Sequence, residues 1–506
     1  MKYLLYLCLA LSIFSCKKTE TANENFLGVI NIVVTGNNDA QPYFEKGLLL
    51  LHSFEYEDAR DEFQMAQKKD PNMAMAYWGE AMTYNHGLWS QQNYEEATAT
   101  LNKLETIENL NSITELEKDF IQAVQILYGE NKTKNERDVD YSNYMKQLSI
   151  KYPDNHEITA FYALSLLASV ADGRDDEIYG KGAIIAKGIL EENPNHPGAL
   201  HYLIHSYDDP QHAKLALNAA NSYSKVAPDA SHALHMPSHI YVAMGMWDEV
   251  VSSNERSYQA SVNRMERKNL DNDARGYHAY HWLEYGYLQQ GRTEDAQKLI
   301  DDLLVYNNEK PSKRSRTYVV FLKGTYLAET NQWDSDVANI QVNVDDLNLS
   351  TRSQYDFIEG MKAFKNNDEL TLSKSIESIQ KDYDKESYLV TYDNAAFCSS
   401  SDRDETSPSM LVETKIRISQ LLALQAWLQK NDKKTEKYLI RSIELDESLS
   451  YSYGPPVIKK PTHELYADWL VSQNRLEDAD KQYELTLKRA PKRRLALEGK
   501  KISQQI

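Results

Sequence analysis

The sequence predicts an all-α protein: an α-solenoid, wound as a right-handed superhelix of about nine to ten helix–turn–helix hairpins. Three observations carry this. Histidine pairs recur at a spacing of 34 residues, His201 and His205 being followed by His235 and His239. That period is the length of one such hairpin unit. Only 19 glycines and 14 prolines occur in 506 residues, and apolar and small residues recur at helical rather than alternating spacing. Finally, a clear unit near each end shares one pattern. Gly47, Ala59, Phe63 and Pro71 of unit 40–73 stand where Ala467, Ala479, Tyr483 and Pro491 stand in unit 460–493.

The first sixteen residues read as an address rather than as structure. Lys2 precedes an apolar run from Tyr3 to Phe14, and Ile13-Phe14-Ser15-Cys16 closes it. This resembles a bacterial lipoprotein signal ending in a lipobox, and the run is too short to span a bilayer. Residues 1–16 are therefore expected to be removed up to a lipidated Cys16, carrying an acyl group such as palmitate. Residues 17–39 are expected to form a flexible tether, 40–495 a single solenoid and 496–506 a tail. Such a protein sits at the cell envelope, on the outer membrane, and touches the membrane through its lipid alone. Cys398 is then the only remaining thiol, so neither an internal disulfide nor a cysteine zinc site is available. With 56 basic against 75 acidic residues the net charge is −19, which argues against nucleic acid as a partner.

Along the chain, Tyr43, Gly47, Ala59, Phe63, Ala66 and Pro71 mark the first unit, where small residues let two helices approach and proline ends the second. Unit 74–111 opens with Tyr77 and Ala81 and gains extra loop residues around NHGLWSQQ. Pro153 and Pro194 close two divergent units, and 197–230 and 231–264 follow in strict register. Unit 277–310 comes next, then degenerate units over 315–345, 353–386 and 415–448, then 460–493. Residues 129–140 are expected to be a charged loop, and 388–410 an irregular surface excursion. In YSYGPPVIKKPTHELY, the prolines 455, 456 and 461 force an extended entry into the last unit.

On these residues the chain resembles the tetratricopeptide-repeat superfamily. The combination AYWGEAM, HSYDDP, HALHMPSHI and GPP further resembles a group of bacterial tetratricopeptide proteins and lipoproteins with animal relatives. The resemblance spans 40–495 and implies the fold and no particular reaction. It also implies that positions 2, 5, 9, 12 and 13 of a unit face a concave groove. His201 and His205 fall at 5 and 9, and His232, His235 and His239 at 2, 5 and 9. His278 and His281 fall at 2 and 5, Asp208 and Asp209 at 12 and 13, and His86 at 13.

The i, i+4 spacing puts each pair on one helix face, and neutral imidazole suits zinc, copper or iron. His201, His205, His235, His239 and His281 are therefore candidate metal ligands, with Asp208 or Asp209 to orient a ring. A protonated or hydrogen-bonding histidine row would instead serve a non-metal ligand or join units structurally. His52, His156 and His196 read as structural. Glu80 and Glu464 are candidate general bases, and His463 would join the groove if the ends of the solenoid approach its middle. H-E-x-x-H, G-x-S-x-G and phosphate-loop patterns are absent. The first expectation is thus an envelope-anchored solenoid whose histidine-lined groove binds a protein, a peptide or a small ligand. A transition-metal-binding protein or metal-dependent enzyme is the alternative, and a glycan-binding lipoprotein a lesser one.

Overall fold

The computed structural model describes residues 26–108, 110–392 and 405–504. The expected signal, Cys16, the first part of the tether and Cys398 lie outside the described residues. Helical hairpins follow one another along the chain as the apolar spacing predicts. In the first, Gln41–His52 packs on Tyr56–Lys69. A Cβ on Gly47 would lie 2.9 Å from the Phe63 ring, and one on Gly79 of the next helix 2.3 Å from it. The two glycines thus leave the space that one buried aromatic fills.

The next hairpins pair Ala74–Met82 with Tyr94–Asn102 and Glu115–Leu127 with Lys134–Lys151. His156–Ala168 pairs with Asp176–Glu192, and Pro197–Ser206 with Leu217–Val226. In the following unit Pro237 splits the first helix into Ser231–His235 and Pro237–Met244, facing Trp247–Lys268. Met236 between them keeps helical angles (φ −52°, ψ −37°), so the histidine face continues through the break. Tyr277–Gln289 with Thr293–Glu309, Leu349–Lys365 with Glu369–Tyr392, and Pro408–Leu428 with Asp432–Glu447 come next. Thr462–Ser472 with Leu476–Arg489 closes the series. The one strand pairing among the described residues, Asn85–His86 with Gln91–Gln92, lies in the extra loop of unit 74–111.

Five segments depart from expectation. The charged stretch 129–140 is a loop only to Thr133, which closes a capping box with Glu136 and starts the helix Lys134–Lys151. Unit 315–345 has a first helix, Lys313–Thr330, but only the short turn Asp336–Asn339 in place of a second. Its sequence there lacks a helical apolar period, and Trp333 and Val337 bury themselves without one. Residues 388–392 extend a helix and 408–410 begin the next, so the excursion is narrower than 388–410. The tail is largely the helix Arg494–Ser503, where Gly499 packs against the Tyr483 ring and caps the solenoid end. The described part of the tether, 26–39, is packed rather than free. Leu27 and Val34 are buried, Val29 N–H donates to Asn195 at 3.0 Å, and Glu117 accepts from Thr35 N–H at 2.7 Å.

Distant units also touch. Arg264 and Lys268 reach back to Asp58 in the first hairpin. At the other end Trp247 donates to the Lys492 carbonyl at 3.2 Å, and the buried Arg493 guanidinium bonds Glu329, Glu464 and Tyr285. These contacts bring the ends of the solenoid onto its middle. The connection 449–461 then runs against the middle units. Arg174 N–H donates to Ser450 at 3.0 Å, Gln420 donates to the Lys460 carbonyl at 2.8 Å, and Tyr453 lies among the histidines.

Candidate functional site

The histidine row lies in a sandwich. On one side Phe54, from the turn of the first hairpin, contacts His201, His205 and His232 with ring centroids 4.2, 6.1 and 5.6 Å away. On the other, Tyr453 of the internal connection packs on His239 at 4.6 Å, and Trp282 packs on His239 at 4.6 Å and on His235 at 4.8 Å. His201, His205, His235 and His239 are consequently buried, His232 is half-buried and His278 exposed. The histidines of successive first helices come together, but Phe54, Trp282 and Tyr453 cover them.

The hydrogen bonds settle which ring nitrogen each buried histidine turns inward. His201 Nδ1 faces the His52 carbonyl at 2.8 Å, a pure acceptor. Asn254 gives its amide hydrogens to the Val250 carbonyl at 2.8 Å, so its oxygen is what His235 Nδ1 meets at 2.7 Å. His239 Nδ1 lies 3.0 Å, and His205 Nδ1 3.5 Å, from the same Asp208 oxygen. All four therefore carry their proton on Nδ1, which leaves Nε2 with an available lone pair. The Nε2 atoms of His205, His235 and His239 are buried and have no hydrogen-bond partner among the described residues. That is costly for a polar atom, and it is how a ligating imidazole is held: outer nitrogen anchored, inner nitrogen open.

His232 Nε2 stands 3.2 Å from His201 Nε2. Two nitrogens bound to one tetrahedral ion at about 2.0–2.1 Å would be separated by about 3.3 Å. Ligand atoms of His201, His205 and His232 all lie within 4.8 Å of one another, and those of His235, His239 and His278 do likewise. Burial holds His201 and His232 well below the usual imidazole range, and neighbouring histidines add to this. Burial takes His235 down to about 3. Burial also lowers His239, against the pull of Asp208. These rings are neutral near pH 7, the form that ligates a metal.

Asp208 is the orienting carboxylate the sequence proposed. Burial would raise it, but bonds from His205 and His239 hold it at about 2. Arg174 donates to its other oxygen at 3.0 Å. Asp209 instead closes the following turn, accepting from His212 and pairing with Arg174 at 2.9 Å.

Other candidates fall elsewhere. His281 turns Nε2 to Thr325 at 2.9 Å and lies 3.4 Å from Lys459, so it leaves the ligand set; His232 and His278 complete the two triplets instead. Burial brings that Lys459 amine down to about 7. His86 stacks on Tyr56 at 3.9 Å. Glu80 accepts from Gln64 and Gln67 at 2.8 and 2.7 Å. Burial would raise Glu464, but Arg493 and Lys460 hold it at about 2, as a salt-bridged anion. Neither carboxylate belongs to a metal-spaced group among the described residues. His463 bonds Gln482 at 2.6 Å and lines a cavity of about 490 Å³, together with Asp208, Arg174, Glu413, Tyr453 and Arg489. His52 and His196 flank the buried Glu157, with His52 Nε2 at 2.7 Å and His196 Nε2 at 3.3 Å, in a separate metal-spaced group. Sequence reading missed Tyr453, Trp282, Asn254 and Phe54. Only the prolines after Tyr453 signalled that this connection was unusual.

These hairpins define a tetratricopeptide-type α-solenoid with a roofed histidine cluster inside. No protein-family model and no curated protein matches the sequence. Among solved structures, the human IFIT1 dimer with m7Gppp-AAAA aligns with TM-score 0.39 and 12% identity, over 90% of this chain and 94% of that one. Yeast Tom70 aligns with TM-score 0.34 and 10% identity, over 92% and 88%. A Rap protein complexed with competence and sporulation factor aligns with TM-score 0.35 and 12% identity, over 81% and 100%. The fold assignment stands on the hairpins themselves, not on these likenesses. Among the described residues, no helix is long and apolar enough to cross a membrane.

Proposed function

We propose that this protein is an envelope-anchored solenoid that binds a transition-metal ion through His201, His205 and His232. The observation that carries this reading is the orphaned His205 Nε2, buried beside a 3.2 Å pair of facing Nε2 atoms. His201 turns its proton to the His52 carbonyl, so without a metal only a proton on His232 Nε2 can bridge the two facing nitrogens, and a bound cation would take that proton's place. Three imidazole nitrogens favour zinc, copper or iron over calcium or magnesium. They also leave a coordination position open to water or a ligand, as in metal sites that do chemistry. Lipid attachment at Cys16 is proposed from the lipobox alone.

The test is elemental analysis of tag-free protein, followed by titration of the stripped protein with zinc, copper and iron. Metal retained at one equivalent or more, with one equivalent fewer on His201→Ala with His205→Ala, is the expected result. Protein that neither carries nor takes up any of the three ions ends the metal reading.

A small-molecule ligand is the second reading, favoured by the cavity of about 490 Å³ that opens beside Tyr453 and reaches Asp208. Its lining mixes arginine, carboxylate, hydroxyl and aromatic groups, as ligand pockets do. The roof over the histidines moves any organic or peptide ligand to this cavity and away from the histidine row itself.

A further inference from the structure

The site is built twice. In the first copy two imidazoles come from one helix four residues apart, His201 and His205, and the third, His232, from the start of the next unit's first helix. In the second copy His235 and His239 again stand four apart, and His278 again opens the next unit's first helix. Both copies have ligand atoms gathered within 4.8 Å. They differ by one repeat, so the period of the solenoid has copied a ligand set along with its helices.

We propose that the chain holds two metal ions in adjacent positions, the second bound by His235, His239 and His278. This rests on the metal reading above and extends it. Two observations support the second position independently of the first. The Nε2 atoms of both His235 and His239 are buried without a partner among the described residues. Each ring is anchored from behind by a different acceptor, Asn254 for His235 and Asp208 for His239. A merely structural histidine ladder would use both nitrogens of its members, ring to ring or ring to backbone.

The two copies meet at Asp208, whose one oxygen faces Nδ1 of both His205 and His239. One carboxylate thus orients a ligand of each ion and supplies a single negative charge behind both. The His205 and His239 rings lie 5.3 Å apart, centroid to centroid, so the two positions are neighbours inside one roofed chamber. Exposed His278 makes the second position the one solvent reaches, whereas the third ligand of the first is half-buried. Ions in the second position should therefore exchange faster.

The experiment is metal stoichiometry on the full chain, wild type against His278→Ala and His232→Ala, with zinc or cobalt(II) titrated into stripped protein. Cobalt(II) d–d absorption reports each occupied nitrogen site. Wild type should take up two equivalents and each variant one. The ion remaining in His278→Ala should exchange with free chelator more slowly than the one remaining in His232→Ala. His278 is exposed, so its alanine variant should keep the wild-type helical signal and unfolding midpoint, which separates lost binding from lost fold. One equivalent in wild type overturns the second position while leaving the proposed function standing. Two equivalents retained in His278→Ala overturn the assigned ligands. No uptake at all ends both readings.

Discussion

His239 donates from Nδ1 to the Asp208 carboxylate at 3.0 Å, and this bond decides which nitrogen it turns toward His205 and His235. Arg174 holds the other Asp208 oxygen. In Asp208→Asn the arginine would keep the amide oxygen and leave the NH₂ group facing His239 and His205. Nδ1 would then have to accept, the proton would move to Nε2, and that nitrogen could no longer ligate. Metal affinity should fall about 10–100-fold, the usual effect of losing an outer-shell partner, with the helical content unchanged. A competition titration against a chromophoric chelator measures it; unchanged affinity would show that the Nδ1 anchors do not matter.

The architecture was legible in the sequence because its determinants are local and periodic. Gly47, Phe63 and Pro71 act within one hairpin, and the histidine period follows from the length of the unit. The placing of His201, His205, His235 and His239 on successive first helices followed from the same frame. What could not be read was how far the solenoid winds. Arg493 meeting Glu329 and Tyr453 meeting His239 are contacts between residues 164 and 214 positions apart. Winding buries the rings that the repeat frame alone leaves facing solvent. It also sets His281 against Lys459 and Thr325, while His232 and His278 join the metal-spaced groups.

Stability should fall on acidification before ordinary carboxylates titrate. Burial depresses His52, His201, His232, His235, His239 and His281 below 6.5, with His235 at about 3. Between those values and 6.5 the unfolded chain binds more protons than the folded one, so stability rises with pH across that window. The contribution is fully present above 6.5 and is lost as pH drops through the window. The urea midpoint should therefore be clearly lower at about pH 5 than at about pH 7.5, and His235→Asn should flatten the difference. A midpoint independent of pH in that range would contradict neutral burial of these rings.

Gly454 holds the internal connection in place. Its φ of +94° is a region that side chains avoid, and a Cβ there would lie 2.4 Å from the Trp282 ring. Because Trp282 itself packs on His235 and His239, Gly454→Ala must displace either the connection or the ring that backs the second triplet. A loss of about 1–3 kcal/mol is expected, with a change in tryptophan emission and weakened metal binding. Gly180→Ala, where an added Cβ meets nothing within 4 Å, should change none of these.

Arg493 is the clasp between the end of the solenoid and its middle. Its guanidinium, fully buried, pairs with Glu329 on one side and with Glu464 at 2.6 Å on the other. Arg493→Ala leaves Glu464 with Lys460 at 2.8 Å and Glu329 with the Gln289 amide at 3.0 Å. Breaking a buried pair from one side costs about 3–5 kcal/mol, since the remaining carboxylate stays desolvated and unneutralised. Adding Glu329→Gln should recover part of that loss, because it removes the stranded charge rather than restoring the bond. Salt should not rescue the single variant, because screening reaches buried charges weakly. Chemical denaturation of the two variants, with and without added salt, measures all three effects. Glu464→Gln also bears on catalysis. A general base would be indispensable to any metal-dependent turnover, whereas a clasp residue should lower the unfolding midpoint and leave metal stoichiometry as it was.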